Sequence, residues 1–450
     1  MASLPRSFDL TEPLSALPDN ASQTLITIRP DNAGPYTPQQ IITFSLGQRG
    51  FLDPKSLSIR YKCVVVSNAN ASQVALIGAP VYTPFQRLNE YCGGSTISSV
   101  NAYNQTCQAL VSGSYSTSAK YGLQSCFGYT NTESTNPNMD GRVIKGATAG
   151  AVTDTFFMSA PLLGSMIANC EKMIPLFAIP QLRIELTLDA LSNMFYTGAG
   201  TGAQLSEAPV SITLSNVELC YSMIDMGAEV ERYTLASAPQ LKLKTKGFNN
   251  SASVLPSGSV GSSSLIFNQR FSSIKSAFIL PASTSYNKWG DFMDITNSGT
   301  SPLVAGGGGE FSLTIGNVNY PQAPLSTALN RSGILQETRR AFGSLFDSDN
   351  SNSINAVEFN CNINYENDAN ADARTTTPYE PAKFIVGVDL DKVAWGDRTL
   401  MSGVSTFGTS ISVNINLAVA TNQPANIGLL LVYDAIMVID TASKQMSVRS

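Results

Sequence analysis

A chain of 450 residues has room for two domains, or one large one, and for a substantial buried core. Only 14% of the residues are charged, and 28 basic against 33 acidic side chains leave a net charge of -5, too balanced for a protein that coats nucleic acid phosphates. Histidine is absent, which excludes Ser-His-Asp and Cys-His catalysis and any His-ligated zinc or iron.

Residues 1–21 carry Pro5, Pro13 and Pro18 without an alternating pattern, and they predict an arm ordered by contact with neighbours. No apolar stretch there has the length of a secretory signal, so export by that route is disfavoured. Strand alternation then begins with TLITI and IITFSL. In SLSIRYKCV, Leu57, Ile59, Tyr61 and Cys63 face one way and Ser58, Arg60 and Lys62 the other, the pattern of a sheet packed on one side. Helical signals follow in part of FQRLNEYC, in NAYNQTCQALVS and around MIANCEKMI. TDTFFM, LRIELTL and PVSITLSNVELCYSMI return to strand, with Ile184, Leu186 and Leu188 inward.

A boundary is expected near GAEVERYTLAS, at about 227–237. Beyond it LKLKTK, SIKSAFIL, FSLTIG, KFIVGV, SISVNINL and GLLLVYDAIMVI read as strands and ILQETRRAFGSLF as a helix, with Gly, Pro, Asn and Ser in the connections. Regular strand-helix alternation is missing, which argues against a parallel sheet with a nucleotide crevice. The two most apolar windows, 160–180 and 427–439, are broken by Glu171, Lys172 and Pro175 and by Asp434, so no transmembrane helix is expected. The halves also echo each other. LCYSMID (219–225) aligns with LVYDAIM (431–437), and RIELTL upstream of the first matches SVNINL upstream of the second. With the length and strand density, this favours an all-β chain of two tandem antiparallel sandwiches.

Four segments in order resemble the double jelly-roll major capsid proteins of double-stranded DNA viruses, in particular those of virophages and polinton-like viruses in the adenovirus-tectivirus lineage. They are FLDPKSLSIRYKC; FQRLNEYCGGSTISSVNAYNQT, a strand, Gly turn, strand and short helix with Tyr103 and Asn104; PLLGSMIANCEKMIPLFAIPQLRIELTLD; and KFIVGVDLDKVAWGDRTLMSGVSTFGTSISVNI. The last carries Gly387, Asp389, Leu390, Ser402, Gly403 and Thr406 in a Gly-x-Asp-Leu and Ser-Gly-x-x-Thr pattern. The resemblance implies two eight-stranded jelly rolls with short helical insertions, at about 22–230 and 231–450. It also implies a homotrimeric, pseudo-hexameric capsomer that tiles an icosahedral virion shell enclosing double-stranded DNA, assembled inside the host cell. Partners would be the chain itself, neighbouring capsomers and minor capsid or penton proteins, with at most weak contact to the genome or an internal membrane. No catalytic residue and no cofactor is expected.

The sharpest chemical motif is AFGSLFDSDNSNSINAVEF. Asp347, Asp349, Ser351, Ser353, Asn355 and Glu358 fall at positions 1, 3, 5, 7, 9 and 12 of an EF-hand calcium loop, with Ile354 at the eighth. Against calcium, the sixth position is Asn352 where the turn needs Gly, and only three carboxylates are present. The segment is therefore read as a polar loop between a helix and a strand. Lys242, Lys244 and Lys246 share one strand face, read as solvated with DNA or an acidic internal protein as the alternative. The Gly runs 197–202 and 305–310 lack a following Lys-Ser/Thr and are read as loops. Cys63, Cys92, Cys107, Cys126, Cys170, Cys220 and Cys361 form no CxxC pair and read as reduced, mostly buried thiols. The alternative function is a glycan-binding or carbohydrate-active β-sandwich protein, in which two carboxylates would act without histidine and Trp289 and Trp395 could stack a sugar. The connections at 85–150, 282–308 and 360–380 are expected to be long loops that clasp neighbouring subunits or project outward as towers.

Overall fold

The computed structural model describes residues 21–67, 73–76, 78–129, 142–145, 152–196, 211–283, 292, 308–343, 354, 359, 383–392, 401–421 and 424–450. Sixteen strands carry the architecture. The first eight are β1 (Ser22–Ile28), β2 (Ile41–Ser45), β3 (Ser58–Ser67), β4 (Phe85–Cys92), β5 (Ser95–Asn101), β6 (Val152–Pro161), β7 (Leu182–Leu188) and β8 (Ser211–Asp225). The second eight are β9 (Gln240–Leu255), β10 (Gly261–Phe267), β11 (Ile274–Ser283), β12 (Gly309–Ile315), β13 (Val318–Ser326), β14 (Val386–Asp389), β15 (Ile411–Leu417) and β16 (Ala425–Asp440). Helices α1 (Tyr103–Ser114), α2 (Ala228–Ser237) and α3 (Arg331–Ala341) lie among them.

Strand order repeats with a shift of eight. The first half forms antiparallel sheets β1-β8-β3-β6 and β2-β7-β4-β5; the second forms β9-β16-β11-β14 and β10-β15-β12-β13. The chain passes from one sheet to the other at every connection except the hairpins β4-β5 and β12-β13, which is the winding of a jelly roll. The echoed sequences occupy matching places: LCYSMID is in β8 and LVYDAIM in β16, while RIELTL is in β7 and SVNINL in β15. Alternation supplies the cores. Ile59, Tyr61, Cys63, Leu88, Ile184 and Leu186 are buried between the first pair of sheets, and Ile279, Phe311, Leu313, Val413, Ile415 and Leu431 are buried in the second roll.

Several expectations are corrected. FQRLNEYC is a strand throughout, because its partners β5 and β7 satisfy its backbone on both edges. The stretch around MIANCEKMI forms turns, followed by a single 3-10 turn at Leu176–Ala178, where Pro175 and Pro180 leave no room for a helix. The 85–150 stretch begins with the tight β4-β5 hairpin, turned by Gly93 and Gly94 at φ 55 and 88, and continues into α1 and two shorter helices. At 227–237, where a boundary was expected, α2 occupies the stretch with no buried residue and joins β8 to β9. Edge strands β10 and β13 escape the sequence reading, since GSSSLIF has three serines in its seven residues and VNYPQAPLS contains two prolines.

The rolls meet along the edge strand β9. Glu171 N–H donates to the Lys244 carbonyl (3.1 Å), Thr245 Oγ1 to the Met166 carbonyl (2.5 Å), and Asn250 Nδ2 to both Gln105 Oε1 and Thr106 Oγ1 (3.2 Å each). Helix α1 is enclosed in this seam although Asn104, Gln105, Thr106, Gln108 and Ser112 are all buried on it. The helix is placed both by these hydrogen bonds and by apolar packing of Tyr103, Cys107, Ala109 and Val111, which are buried on it as well.

Candidate functional site

The residues that carry the family pattern act as latches. Thr338 Oγ1, on α3, donates to the Ile385 carbonyl (2.7 Å) and accepts from Gly387 N–H (2.9 Å), tying the helix to β14, the last strand of its sheet. A Cβ on Gly387 would lie 2.8 Å from Thr338 Cα, so only Gly permits the approach. Asp389 accepts from Arg340 Nε (3.2 Å), and Leu390 N–H donates to the Lys275 carbonyl (2.8 Å). Gly403 lies on the Ile274 backbone, the Ser402 carbonyl accepts from Lys392 N–H (3.0 Å), and Thr406 Oγ1 accepts from Phe271 N–H (2.9 Å). In the first roll Tyr103 is buried, and Asn104 Nδ2 donates to the buried Asp189 (2.8 Å).

Two buried acids escape the sequence reading. Glu90 points inward from β4 in phase with Leu88 and Cys92, accepting from Ser165 Oγ and from the N–H groups of Met166 (2.9 Å) and Ile167 (3.4 Å). Burial pushes its carboxyl up to about 7, against the opposing pull of those donors. Asp434, on β16, accepts from Ser273 Oγ (3.0 Å) and lies 3.7 Å from Lys275 Nζ, which also faces Asp391 at 3.4 Å. The signal for Glu90 was its place in the Leu88–Cys92 alternation; for Asp434 it was a lone charge in an apolar run.

The predicted calcium ligands Asp347, Asp349, Ser351, Ser353, Asn355 and Glu358 lie outside the described residues, as do Trp289, Trp395, Cys361, residues 1–20 and the Gly run 197–202. Ile354, within the motif, is buried, and Phe359, just after it, is buried against Phe384. Of the lysine trio, Lys242 and Lys246 are exposed, but Lys244 is largely buried and pairs with Glu171 at 3.0 Å in the seam, which corrects the solvated reading for that residue. Gly308 packs on Ala328 and Gly309 opens β12, so the described end of the second Gly run is strand. Among the described cysteines five are buried and Cys126 is exposed.

A concavity of about 1140 Å³ lies on the outer face of the β1-β8-β3-β6 sheet. Arg29, Arg60 and Lys62 line it against a single carboxylate, Glu218, with the exposed Phe157 on one wall and Cys126 on another. None of the three cations has an ion-pair partner among the described residues. A bulge in β8 between Ser215 and Glu218, with Asn216 at φ 48, shapes the floor. Among the described residues no three acidic or thiol groups gather as metal ligands.

No protein-family model matches this chain, and no curated protein is similar to it in sequence. Solved structures are similar across the whole chain. The Faustovirus major capsid protein matches with a TM-score of 0.62 at 9% identity, over 97% of this chain and 93% of that one. A chain of the Sputnik virophage solved by cryo-EM matches at 0.58 and 14% identity, over 100% and 92%. The mavirus major capsid protein matches at 0.53 and 12% identity, over 100% and 95%. The likeness is one of fold, two jelly rolls in tandem.

Proposed function

We propose that the chain is the major capsid protein of an icosahedral double-stranded DNA virus, a structural protein and not an enzyme, assembled in the host cell and resident in the virion shell. The observation that carries this reading is the repeated strand order of two complete jelly rolls in one chain, matched end to end by proteins that are themselves major capsid proteins. The chain divides into an arm at 1–21 and rolls at 22–230 and 231–450; the sheets support this, since no strand of the first half pairs with one of the second among the described residues.

Its unit is a homotrimer in which the two rolls of each chain alternate about a threefold axis. Six similar sandwiches approximate sixfold symmetry, so one gene product fills a hexagonal lattice site. A low charge density suits close contact between copies. Neighbouring capsomers and minor capsid or penton proteins complete its partners. The test is the solution mass of the purified chain together with negative-stain images. A trimer with a hexagonal outline is expected, whereas a folded monomer at every concentration would overturn the reading.

A further inference from the structure

Lys275 stands where β11 departs from its ladder with β16. It is the extra residue of a bulge, between the pairs Ile274–Tyr433 and Ser276–Val432, and a bulge re-aims the side chain it carries. Its Nζ lies between two carboxylates, 3.4 Å from Asp391 Oδ2 and 3.7 Å from Asp434 Oδ1. The Asp434 side chain is fully buried, and those of Lys275 and Asp391 are 13% and 19% exposed, so little water reaches the three groups.

Each group is fixed by its own neighbours. Ser273 Oγ donates to Asp434 Oδ2 (3.0 Å) and accepts from Gly403 N–H (2.9 Å), while Asp434 Oδ1, the oxygen facing Lys275, has no hydrogen-bond partner among the described residues. The Asp434 backbone is tied to the same serine, its N–H donating to the Ser273 carbonyl (3.0 Å). Asp391 is pinned on both sides: Leu390 N–H donates to the Lys275 carbonyl (2.8 Å), and Lys392 N–H to the Ser402 carbonyl (3.0 Å). A nucleophile and a carboxyl group held this way have lost in advance the freedom that slows the same reaction in solution. An ammonium enclosed with a buried carboxylate also costs desolvation on both sides, a cost that a neutral amide between them removes.

We propose that Lys275 and Asp434 join in an intramolecular isopeptide bond, with Asp391 as the proton carrier. The Lys275 ammonium gives one proton to the facing Oδ1 of Asp434, leaving an amine beside a carboxylic acid. Nζ attacks Cγ, and Ser273 Oγ, polarised by Gly403 N–H, stabilises the negative charge that collects on Oδ2. Asp391 takes a second proton from the nitrogen and delivers it to Oδ1, which leaves as water. The Nζ–Cγ bond forms and the Cγ–Oδ1 bond breaks. Ammonium and carboxylate become amide and water, Asp391 ends as it began, and no oxidant, reductant or co-reactant is needed. The bond clamps the two middle strands of the β9-β16-β11-β14 sheet, a constraint of the kind a disulfide supplies, in a chain whose described cysteines are all free.

The test is peptide mapping of the purified full chain, unfolded and digested with trypsin. A branched peptide is expected that joins the segment around Lys275 to the segment around Asp434, lighter by one water than the two together, with no cleavage after Lys275. Lys275→Arg should abolish it. Asp391→Asn should slow its appearance in freshly made protein on the order of hundredfold. Asp434→Asn should give the same amide, with ammonia leaving in place of water. Circular dichroism reports which variants are folded, and the wild-type map decides the question without them. A wild-type chain that is cut after Lys275, with both segments at full mass after prolonged incubation, would overturn the proposal and leave the shell reading in place. A branch from Lys275 to Asp391 would overturn Asp434 as the partner, and a bond formed as fast in Asp391→Asn would overturn Asp391 as the proton carrier.

Discussion

Glu90 makes the seam between the rolls sensitive to pH. Its carboxyl holds the Ser165–Ile167 turn, and the next carbonyl along, that of Met166, accepts from Thr245 of the second roll. Burial moves it from 4.5 up to about 7 in the folded protein. At about 1.4 kcal/mol per pKa unit, that shift is worth about 3 kcal/mol. The folded state binds a proton that the unfolded chain releases between those values. The associated stability is therefore fully present below pH 4.5, declines as the pH rises, and is lost above about 7. Glu90→Gln fixes the neutral form: its amide oxygen accepts from Met166 N–H while its NH2 donates to Ser165 Oγ. Denaturant unfolding of both proteins at about pH 5 and pH 8 should show the variant gaining about 3 kcal/mol relative to wild type at the higher pH. Amide exchange at Met166 and Ile167 should slow in the variant at pH 8 by a corresponding factor. If the two proteins share one pH dependence to within about 1 kcal/mol, the assignment of the shift to Glu90 is wrong.

Three further outcomes are expected. Gly403→Ala would bring a Cβ within 2.2 Å of the Ile274 carbonyl, and because that oxygen belongs to a bridged backbone segment the second roll should lose about 3 kcal/mol or more; an unchanged melting curve would contradict this. Calcium titrated into the chain should give no heat that Asp347→Ala removes, and a micromolar, Asp347-dependent signal would establish the EF-hand reading instead. Deleting residues 1–21 should leave the circular dichroism and melting of the rolls intact while impairing assembly seen by electron microscopy, whereas loss of folding would place those residues in the core.

Period-two alternation was enough to locate most strands, because side-chain direction in a strand is fixed by local backbone geometry and needs no knowledge of neighbours. The echo of LCYSMID in LVYDAIM likewise reported a true repeat, since residues in matching core positions meet matching packing demands. Edge strands were harder to read: β10 and β13 are paired on one side only, so serine and proline are tolerated there. Only the tertiary structure brought Lys275, Asp391 and Asp434 together. It also turned Glu90 and Lys244 from ordinary polar strand residues into members of the seam. Those assignments depend on burial and partners supplied by segments such as Ser165, 75 positions from Glu90, and Gln105, 145 from Asn250. Charge and hydrogen bonding act through space, so sequence order alone could not place them.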